Sequence, residues 1–324
     1  MTHSLNFAFA HGEPTHTAVF RKEAADFIVR ENLGFTPEGE GEHLYVHIEK
    51  TGENTQWVAD KLAKYFSIKS MDVGFSGMKD RNAITSQWFS LYLPRYSGEP
   101  DWQAFIATSD INVKVLQSGR HRQKLRRGMH QSNSFVIALR ELPASVEVSE
   151  RLDTVSKEGV PNYFGDQRFG HDGNNIALVE RWVTEGKMPK GRSLKSVVMS
   201  AARSYLFNLI LSERVKAGNW QAKLDGEVVL DDQPSAPLWG RGRNAASGSC
   251  LEFESGILEA YTSWCEKLEH CGLSQERRSL VLKPEAFSWE QIENTLTLSF
   301  TLPAGAYATV ILREIARLNN QSLR

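Results

Sequence analysis

The sequence has few cysteines, no long apolar run and almost no net charge, and each absence excludes a class of protein. Its three cysteines, Cys250, Cys265 and Cys271, are an odd number without Cys-x-x-Cys spacing, which argues against a disulfide framework or a zinc ribbon. Apolar stretches such as Thr309–Leu312 end well short of the roughly 18 residues that span a bilayer. The first ten residues lack the basic and apolar regions of a secretory signal. We therefore expect a cytoplasmic protein without a membrane span.

Charge is nearly balanced overall but is segregated locally. The chain has 38 Lys and Arg against 39 Asp and Glu. Two windows carry cations and no acid: Ile111 to Arg140 has seven cations, and Gly186 to Ser212 has five. Such windows are often solvated faces, but two of them in a neutral chain favour contact with a phosphate backbone. The candidate RNA-binding side chains are Arg120, Arg122, Lys124, Arg126, Arg127, Lys187, Lys190, Arg192 and Lys195.

Hydrophobic periodicity predicts both strands and helices. Alternation in Leu44–Ile48 and Phe135–Leu139 predicts strands, and apolar residues at helical spacing from Val58 to Phe66, after a capping Asn54, predict a helix. Further strands are expected at Val73–Ser76, Gln87–Leu93, Asn112–Gln117 and Thr295–Leu302. Further helices are expected at Val146–Ser156, Asn175–Thr184, Leu194–Lys216, Gly256–His270, Ser274–Leu282 and from about Tyr307 to Leu318, with a long irregular loop at Pro234–Gly248.

This order of elements predicts an α+β protein of two domains. A mixed, mainly antiparallel sheet is expected in a first domain made of residues 1–157 plus 284–324, and a mostly helical domain is inserted at 158–283. Phosphate loops, HExxH, GxSxG and dinucleotide fingerprints are absent, and the histidines show no metal-ligand spacing. The sequence therefore predicts neither a cofactor nor a metal.

The loop Gly77–Thr85 is the best candidate for chemistry. It joins two predicted strands and carries Asp80 between the cations Lys79 and Arg81. Flanking positive charge favours the ionised form of an aspartate, so Asp80 could act as a nucleophile. The alternative is a turn aspartate that only caps its own backbone.

This loop is one of several segments that together match a known family. The segments are Asp26-Phe27 followed by Gly39-Glu-Gly-Glu-His43; Asn54-Thr55; Gly77-x-Lys79-Asp80-x-x-Ala83-x-Thr85-x-Gln87; His121-x-x-Lys124-Leu-Arg126-x-Gly128; Asn133-x-Phe135; Gly159-Val-Pro-Asn-Tyr-Phe-Gly165 with Gln167-Arg-Phe-Gly170; Ala201-x-Arg203; and Ala304-Gly305-x-x-Ala308-Thr309 ending in Arg313-Glu314. With these segments the chain resembles, nearly end to end, the TruD family of pseudouridine synthases, which isomerise uridine 13 of certain tRNAs.

The resemblance implies roles for six residues. It implies that the first domain is catalytic and of pseudouridine synthase type, that 158–283 is a TruD-type insertion, and that Asp80 is the catalytic aspartate, kept ionised by Arg21. The residues implied in substrate binding are Phe27, Asn133, Phe135 and Tyr307. Without the resemblance, simple core packing would be favoured for the two strand phenylalanines.

The chain departs from the family pattern at three positions. Arg21 stands where relatives usually have lysine, which retains the charge and adds a bidentate grip. Tyr307 replaces a phenylalanine, so its hydroxyl needs a partner. Ser132 replaces the glycine that usually precedes Asn133. The inserted domain also looks shorter than in many relatives.

The function implied is isomerisation of uridine 13 of tRNA to pseudouridine after the base is flipped out of the RNA. Whether Asp80 attacks C1′ or removes a sugar proton stays open. The alternatives are a non-catalytic RNA-binding protein or chaperone that uses the same cationic cleft, and an enzyme that uses Asp80 with water for hydrolysis. We expect tRNA as the partner, no protein partner and a monomer.

Overall fold

The computed structural model describes residues 3–321. Residues 1, 2 and 322–324, the outer ends of the predicted first domain, lie outside this range. Within it, none of the helices combines the length and the apolar character that a membrane crossing requires.

The described residues form fifteen strands and eight α-helices. The strands are β1 Thr17–Phe20, β2 Phe27–Asn32, β3 His43–Thr51, β4 Val73–Phe75, β5 Ile84–Tyr92, β6 Val113–His121, β7 Ser132–Arg140, β8 Val160–Pro161, β9 Val229–Leu230, β10 Gln233–Leu238, β11 Glu276–Ser279, β12 Val281–Leu282, β13 Glu285–Ile292, β14 Thr295–Pro303 and β15 Arg317–Asn320. The helices are α1 Thr55–Tyr65, α2 Trp102–Ser109, α3 Val146–Glu158, α4 Asn174–Glu185, α5 Arg192–Lys216, α6 Gly248–Leu258, α7 Thr262–Glu269 and α8 Ala308–Ile315.

The described chain forms two compact units. The sheet unit consists of Thr15–Ser149, Pro284–Gly305 and the chain from Ala316 on; the helical unit consists of the chain up to Pro14, Glu150–Lys283 and Ala306–Ile315. The chain up to Pro14 and Ala306–Ile315, both placed in the first domain by the sequence, thus group with the helical unit. The predicted assignment of catalytic and inserted domains stays a prediction.

The sheet unit is built on one large, mainly antiparallel sheet. Its central path runs β13-β14-β7-β2-β5-β3-β6. Among the described strands of this sheet, only β2 with β5 and β1 with β15 pair in parallel. The predicted α+β class with a mainly antiparallel sheet is therefore confirmed.

One face of this sheet is covered by α1 and α2. Asn54 caps α1, because its side chain accepts a hydrogen bond from the N–H of Gln56 at 2.8 Å. Val58 and Leu62 of α1 pack against buried apolar residues of β3 and β5, such as Ile48 and Phe89. Since burial of each such side chain contributes about 1.5–3 kcal/mol, this packing fixes β5, the strand that follows the loop at Asp80.

The helical unit contains the long helix α5, whose central residues, such as Ala202 and Leu206, are completely buried. It also contains two small sheets, β11-β10-β9 and β12-β8. Asn208 on α5 fixes the loop after β8, because its amide donates to the carbonyl of Phe164 at 3.0 Å and accepts from the N–H of Phe164 at 2.9 Å.

Most predicted elements are confirmed within a few residues, but the helix expected at Ser274–Leu282 is wrong. This stretch forms β11 and β12. Glu276–Ser279 pairs with β10, and Val281 with Pro161 of β8. The cause is the tertiary structure. The Arg277 side chain donates to the carbonyl of Ser235 on β10 at 2.6 Å, and pairing with this distant strand overrides the local preference for a helix.

Three other boundaries also differ from the prediction. The loop expected at Pro234–Gly248 begins inside β10. The helix expected at Gly256–His270 starts earlier, as α6, and is interrupted by a 3₁₀ turn before α7. The last helix, expected to reach Leu318, ends at Ile315 because the chain continues as β15, which pairs with β1.

Candidate functional site

The loop between β4 and β5, which carries Asp80, is held by α1. The backbone N–H of Lys79 donates to Oγ1 of Thr55 at 2.9 Å, and this hydroxyl donates in turn to Oε1 of Gln87 at 2.7 Å. The amide of Gln87 then donates to the carbonyl of Gly77 at 3.2 Å. Thr55 and Gln87 are both fully buried. The loop is thus fastened to the first turn of the helix and to a central strand.

Asp80 forms an ion pair with Arg21. The distance from Nη2 of Arg21 to Oδ2 of Asp80 is 2.7 Å, and the two side chains are 9% and 28% exposed. The Arg21 guanidinium lies 4.7 Å from the ring centroid of Phe20 and 4.2 Å from that of Phe27. Burial lowers the pKa of Arg21, and the nearby Asp80 carboxylate opposes this shift. The pair therefore combines a buried cation with a carboxylate that solvent still reaches.

The backbone at Arg21 is unusual. Its φ angle is 58°, in the left-handed region that residues other than glycine rarely adopt. Its Nε is buried and has no hydrogen-bond partner among the described residues. Both features cost free energy, and such costs concentrate at functional sites.

Lys50 contacts the backbone of Asp80, and the sequence analysis missed it. Its side chain is almost fully buried, and Nζ donates to the carbonyl oxygens of Asp80 at 2.9 Å and of Glu53 at 2.6 Å. Burial lowers the pKa of Lys50 to about 8, although Asp80 and Glu53 oppose this shift. A signal was present: the alternation in β3 places Lys50 on the same apolar face as Ile48.

A second ion pair connects the loop to β2 and β7. Nζ of Lys79 lies 2.8 Å from Oε2 of Glu31, and the two side chains are 7% and 0% exposed. The same Nζ donates to Oδ1 of Asn133 at 2.7 Å. Glu31 and Asn133 face each other across the β2–β7 pair. The sequence analysis missed Glu31 as well, and a glutamate in a sheet core is the signal that could have identified it.

His130 completes this polar cluster. Nδ2 of Asn133 is 3.1 Å from Nε2 of His130. Burial, reinforced by the charge of Lys79, lowers the pKa of His130, and Glu31 acts in the opposite direction. The lowered pKa favours the neutral imidazole, which can accept from the Asn133 amide at Nε2.

The aromatic residues expected to bind substrate lie beside these polar groups. The ring centroids of Phe27 and Phe135 are 6.1 Å apart, and Phe135 stacks on Phe300 at 5.4 Å. Both predicted residues are buried, with 5% and 7% of their surface exposed. The structure therefore brings Asp80, Arg21, Phe27, Asn133 and Phe135 together within the sheet unit.

Tyr307 lies in the helical unit, where its hydroxyl has the partner that it was expected to need. Nε of Arg168 donates to this hydroxyl at 2.9 Å, and Nη1 of Arg168 donates to Oγ of Ser200, also at 2.9 Å. The loop is close-packed at Gly165, because a Cβ there would lie 3.2 Å from the Tyr307 ring. The ring is thus fixed by a cation and by close backbone contact.

The cationic side chains of the two windows differ in what they contact. Arg120 donates to the carbonyls of Leu93 and Tyr96, and Lys124 donates to that of Met71. The remaining candidates either pair with neighbouring acids or are simply exposed. Arg122 lies against Glu38 and Glu40, and Lys187 against Glu185. The exposed ones are Arg126, Arg127, Lys190, Arg192 and Lys195.

Within residues 3–321, no group of three or more His, Cys, Asp or Glu side chains is arranged to hold a metal ion. The chemistry that the cluster itself offers is that of an ionised carboxylate beside a guanidinium, with amide, ammonium and aromatic groups around it.

Comparison with known proteins agrees with the motif-based resemblance. The family model for tRNA pseudouridine synthase D (TruD) matches residues 6–192 and 231–315. The tRNA pseudouridine synthase D of Cellvibrio japonicus is 50% identical over 327 residues, which cover 99% of this chain and 96% of that protein. The corresponding protein of Aeromonas hydrophila is 42% identical over 332 residues, covering 95% and 93%.

A solved structure supports the fold. The crystal structure of a TruD protein from Methanosarcina mazei superposes with a TM-score of 0.66 over 95% of each chain, at 21% identity. At this identity the likeness concerns the fold alone. On the family match and the identity to full-length relatives, the chain belongs to the TruD family of tRNA pseudouridine synthases, which are isomerases.

Proposed function

We propose that this chain isomerises uridine 13 of tRNA to pseudouridine, with Asp80 as the nucleophile or base. The observation that carries the proposal is the ion pair between Arg21 and the partly exposed carboxylate of Asp80. A carboxylate paired with a buried guanidinium supplies the anionic group that glycosidic-bond cleavage at a ribose needs beneath the sugar.

The reaction is a rearrangement that needs no outside atom. The N1–C1′ bond breaks, the uracil turns, C5 bonds to C1′, and a proton leaves C5 while N1 gains one. Asp80 can attack C1′ to form an ester that the uracil anion later displaces, or it can remove a sugar proton to give an unsaturated sugar. Both routes need the ionised carboxylate, and Arg21 stabilises this form in each.

The target base must be flipped out of the RNA stack, at a cost of a few kcal/mol. Stacking on aromatic side chains is worth about 1–3 kcal/mol per base. Phe27 lies against the Arg21 guanidinium, and Phe135 lies beside Phe27, which supports a role for both rings in holding the flipped base. For Tyr307 the same role rests on the family resemblance.

We propose that exposed cations of both windows contact tRNA phosphates. Arg126, Arg127, Lys190, Arg192 and Lys195 are exposed, as phosphate-binding side chains must be. Arg120, which holds two backbone carbonyls, is better explained as a residue that stabilises the loop after β5.

The test is a nucleoside analysis of tRNA after incubation with the purified chain. The proposal requires pseudouridine at position 13 with the wild-type chain and none with Asp80→Asn. Asp232→Asn is the matched control, because Asp232 pairs with Lys223 and its side chain is 88% exposed. Binding without any product would favour the RNA chaperone, and release of free uracil would favour a hydrolase.

A monomer in the cytoplasm is also part of the proposal. tRNA is available in that compartment, and the large exposed apolar side chains, such as Met71, Val146 and Ile292, are spread along the chain. Light scattering of the chain with and without tRNA tests the oligomeric state.

A further inference from the structure

We propose that the Glu31–Lys79 ion pair fixes the direction of the Asn133 carboxamide, so that Asn133 presents an N–H donor and reads a carbonyl oxygen of the target uracil. Glu31 and Lys79 would be positioning residues that act through Asn133. This inference rests on the proposed function and adds to it the means by which the base is recognised.

The oxygen and nitrogen ends of the Asn133 amide face different neighbours. The direction of an asparagine carboxamide is set by the hydrogen-bonding groups around it. The ammonium of Lys79 has three donors and no acceptor. The Asn133 atom 2.7 Å from Nζ of Lys79 is therefore the oxygen.

Lys79 is held in place by Glu31. Glu31 is buried, with its side chain 0% exposed. Its carboxylate accepts from Oγ of Ser76 at 2.6 Å and from the backbone N–H of Trp88 at 3.1 Å. A buried carboxylate needs a cation as well as hydrogen bonds, and Lys79 at 2.8 Å supplies it. Since Glu31 is itself fixed by a strand and a loop, the ammonium has little freedom to leave the Asn133 oxygen.

The nitrogen end of the Asn133 amide faces His130. Nδ2 of Asn133 donates to Nε2 of His130 at 3.1 Å. In the reversed orientation, the amide NH₂ would face the Lys79 ammonium, placing donor against donor. Lys79 therefore selects the orientation, and the His130 imidazole fits it by accepting at Nε2. One N–H of Nδ2 is used by His130, which leaves the second N–H as the donor that the side chain can offer.

An N–H donor at Asn133 matches the pairing edge of uracil. The pairing edge of uracil presents two carbonyl oxygens, O2 and O4, on either side of the N3–H donor. Cytosine has an amino group in place of O4. A donor of fixed direction therefore donates to an oxygen of uracil. Where that oxygen is O4, cytosine presents an amino group at the same place, so that donor faces donor. A polar group held in one direction discriminates more strongly than one that can rotate.

The experiment measures kcat/KM for tRNAs that carry uridine, 2-thiouridine or 4-thiouridine at the target position. Sulfur is a weaker acceptor than oxygen, so the wild-type chain should process one of the two thio substrates about tenfold less efficiently. In Lys79→Met the uridine rate should fall about tenfold, mainly in kcat, and the thio penalty should shrink to within about twofold. Lys79→Arg retains a donor and should restore the penalty.

The controls separate this inference from effects on folding. Glu31→Gln combined with Lys79→Met leaves no unpaired buried charge, so it should melt near the wild type and show the same loss of the penalty. Lys216→Met, which breaks an exposed lysine–glutamate pair, should change neither the rate nor the penalty.

Two outcomes overturn the inference: equal wild-type rates on all three substrates, or a Lys79→Met variant that keeps the full thio penalty. Neither outcome affects the proposed function, which fails only if the wild-type chain forms no pseudouridine from the uridine substrate.

Discussion

An ion pair of the helical unit and the pair at Asp80 in the sheet unit are completed differently. In the helical unit, Arg214 and Glu227 lie 2.8 Å apart and each side chain is only 2% exposed. Arg214 also donates to the carbonyl of Asn219 at 3.0 Å, and Glu227 accepts from the N–H of Ser235 at 3.1 Å. Such a pair joins loops and has little capacity left for a ligand.

The pair at Asp80 is incomplete by comparison. The carboxylate is 28% exposed, and among the described residues Nε of Arg21 has no hydrogen-bond partner. Removing a partner from a completed pair leaves a buried charge and costs stability. Asp80→Asn keeps an oxygen that accepts from Arg21, so this change should cost activity more than stability. Under the proposed function, incomplete pairing, rather than burial alone, distinguishes the reactive carboxylate from a structural one.

The largest expected effect is that of Asp80→Asn on turnover. Loss of the carboxylate should lower kcat at least about 10³-fold, while tRNA affinity stays within a few-fold and the melting temperature changes little. Single-turnover kinetics, tRNA binding and thermal melting of the same preparation check this. Retention of isomerisation would refute the role of Asp80, and a large drop in melting temperature would make Asp80 a structural residue like Glu227.

The second effect concerns a completed, buried ion pair of the helical unit, that of Glu254 with Arg277. Glu254 accepts from Arg277 and from Nδ2 of Asn244, and its side chain is 2% exposed. Glu254→Ala should therefore lower the free energy of unfolding by about 3–5 kcal/mol, measured by urea denaturation. The exposed pair of Glu213 with Lys216 provides the control, since Glu213→Ala should cost less than about 1 kcal/mol. A similar cost for both variants would remove the distinction drawn here.

A third effect follows from the buried Lys50. Its folded-state pKa of about 8 lies below the ordinary 10.5. Between these values the unfolded chain binds more protons than the folded chain, so this group makes stability rise with pH in that window. From pH 7 to pH 10.5, the wild type should gain up to about 3 kcal/mol relative to Lys50→Met.

Urea denaturation of both chains at several pH values measures this gain. Lys61, whose ammonium lies over the half-exposed Trp57 ring, provides the control through Lys61→Met, which should follow the wild-type curve. A constant difference between wild type and Lys50→Met would show that Lys50 keeps its ordinary pKa.

A fourth, smaller effect concerns Tyr307. Tyr307→Ala should lower kcat/KM by about 10- to 100-fold, from the loss of a stacking face worth about 1–3 kcal/mol. The loss of stability should be smaller, since the ring is only partly buried. Tyr307→Phe keeps the ring but removes the acceptor for Arg168 and separates the two contributions. A drop in stability of Tyr307→Ala that matches its drop in activity would support simple packing.

The smallest effect is expected in the cationic windows. Replacing the exposed Arg126 and Arg127 by alanine should weaken tRNA binding about five- to tenfold and reduce the salt dependence by roughly one phosphate contact per residue. Arg122→Ala should have less effect, because Glu38 and Glu40 already partly neutralise Arg122. Filter binding at several salt concentrations measures both variants. An unchanged salt slope in the double variant would exclude the first window from RNA binding.

Much of the fold and part of the site could be predicted from the sequence. Alternation identified β3 and β7, and the cap at Asn54 identified α1, because these signals are local. The resemblance to the TruD family singled out Asp80 and Arg21, and the two side chains do form an ion pair. Lys50 and Glu31 were missed, because each looks like a surface charge until its strand is known to be buried on that side.

The stretch Ser274–Leu282 shows what local sequence patterns cannot predict. This stretch contains good helix formers, and only its partners on β10 and β8 make it extended. Parallel pairing of β15 with β1 is equally invisible in the sequence, since some three hundred residues separate the two strands. Long-range pairing is decided by what the rest of the chain leaves unpaired.

The sequence by itself determined the class of fold and the family, because both depend on residue identity and local pattern, and the family resemblance singled out Asp80 and Arg21 as the proposed reactive pair. The tertiary structure decided which charges are buried, which of them are completed by hydrogen bonds and which way the Asn133 amide points. These properties depend on distances between strands that lie far apart in the chain, and desolvation and hydrogen-bond geometry have no values until those strands pair.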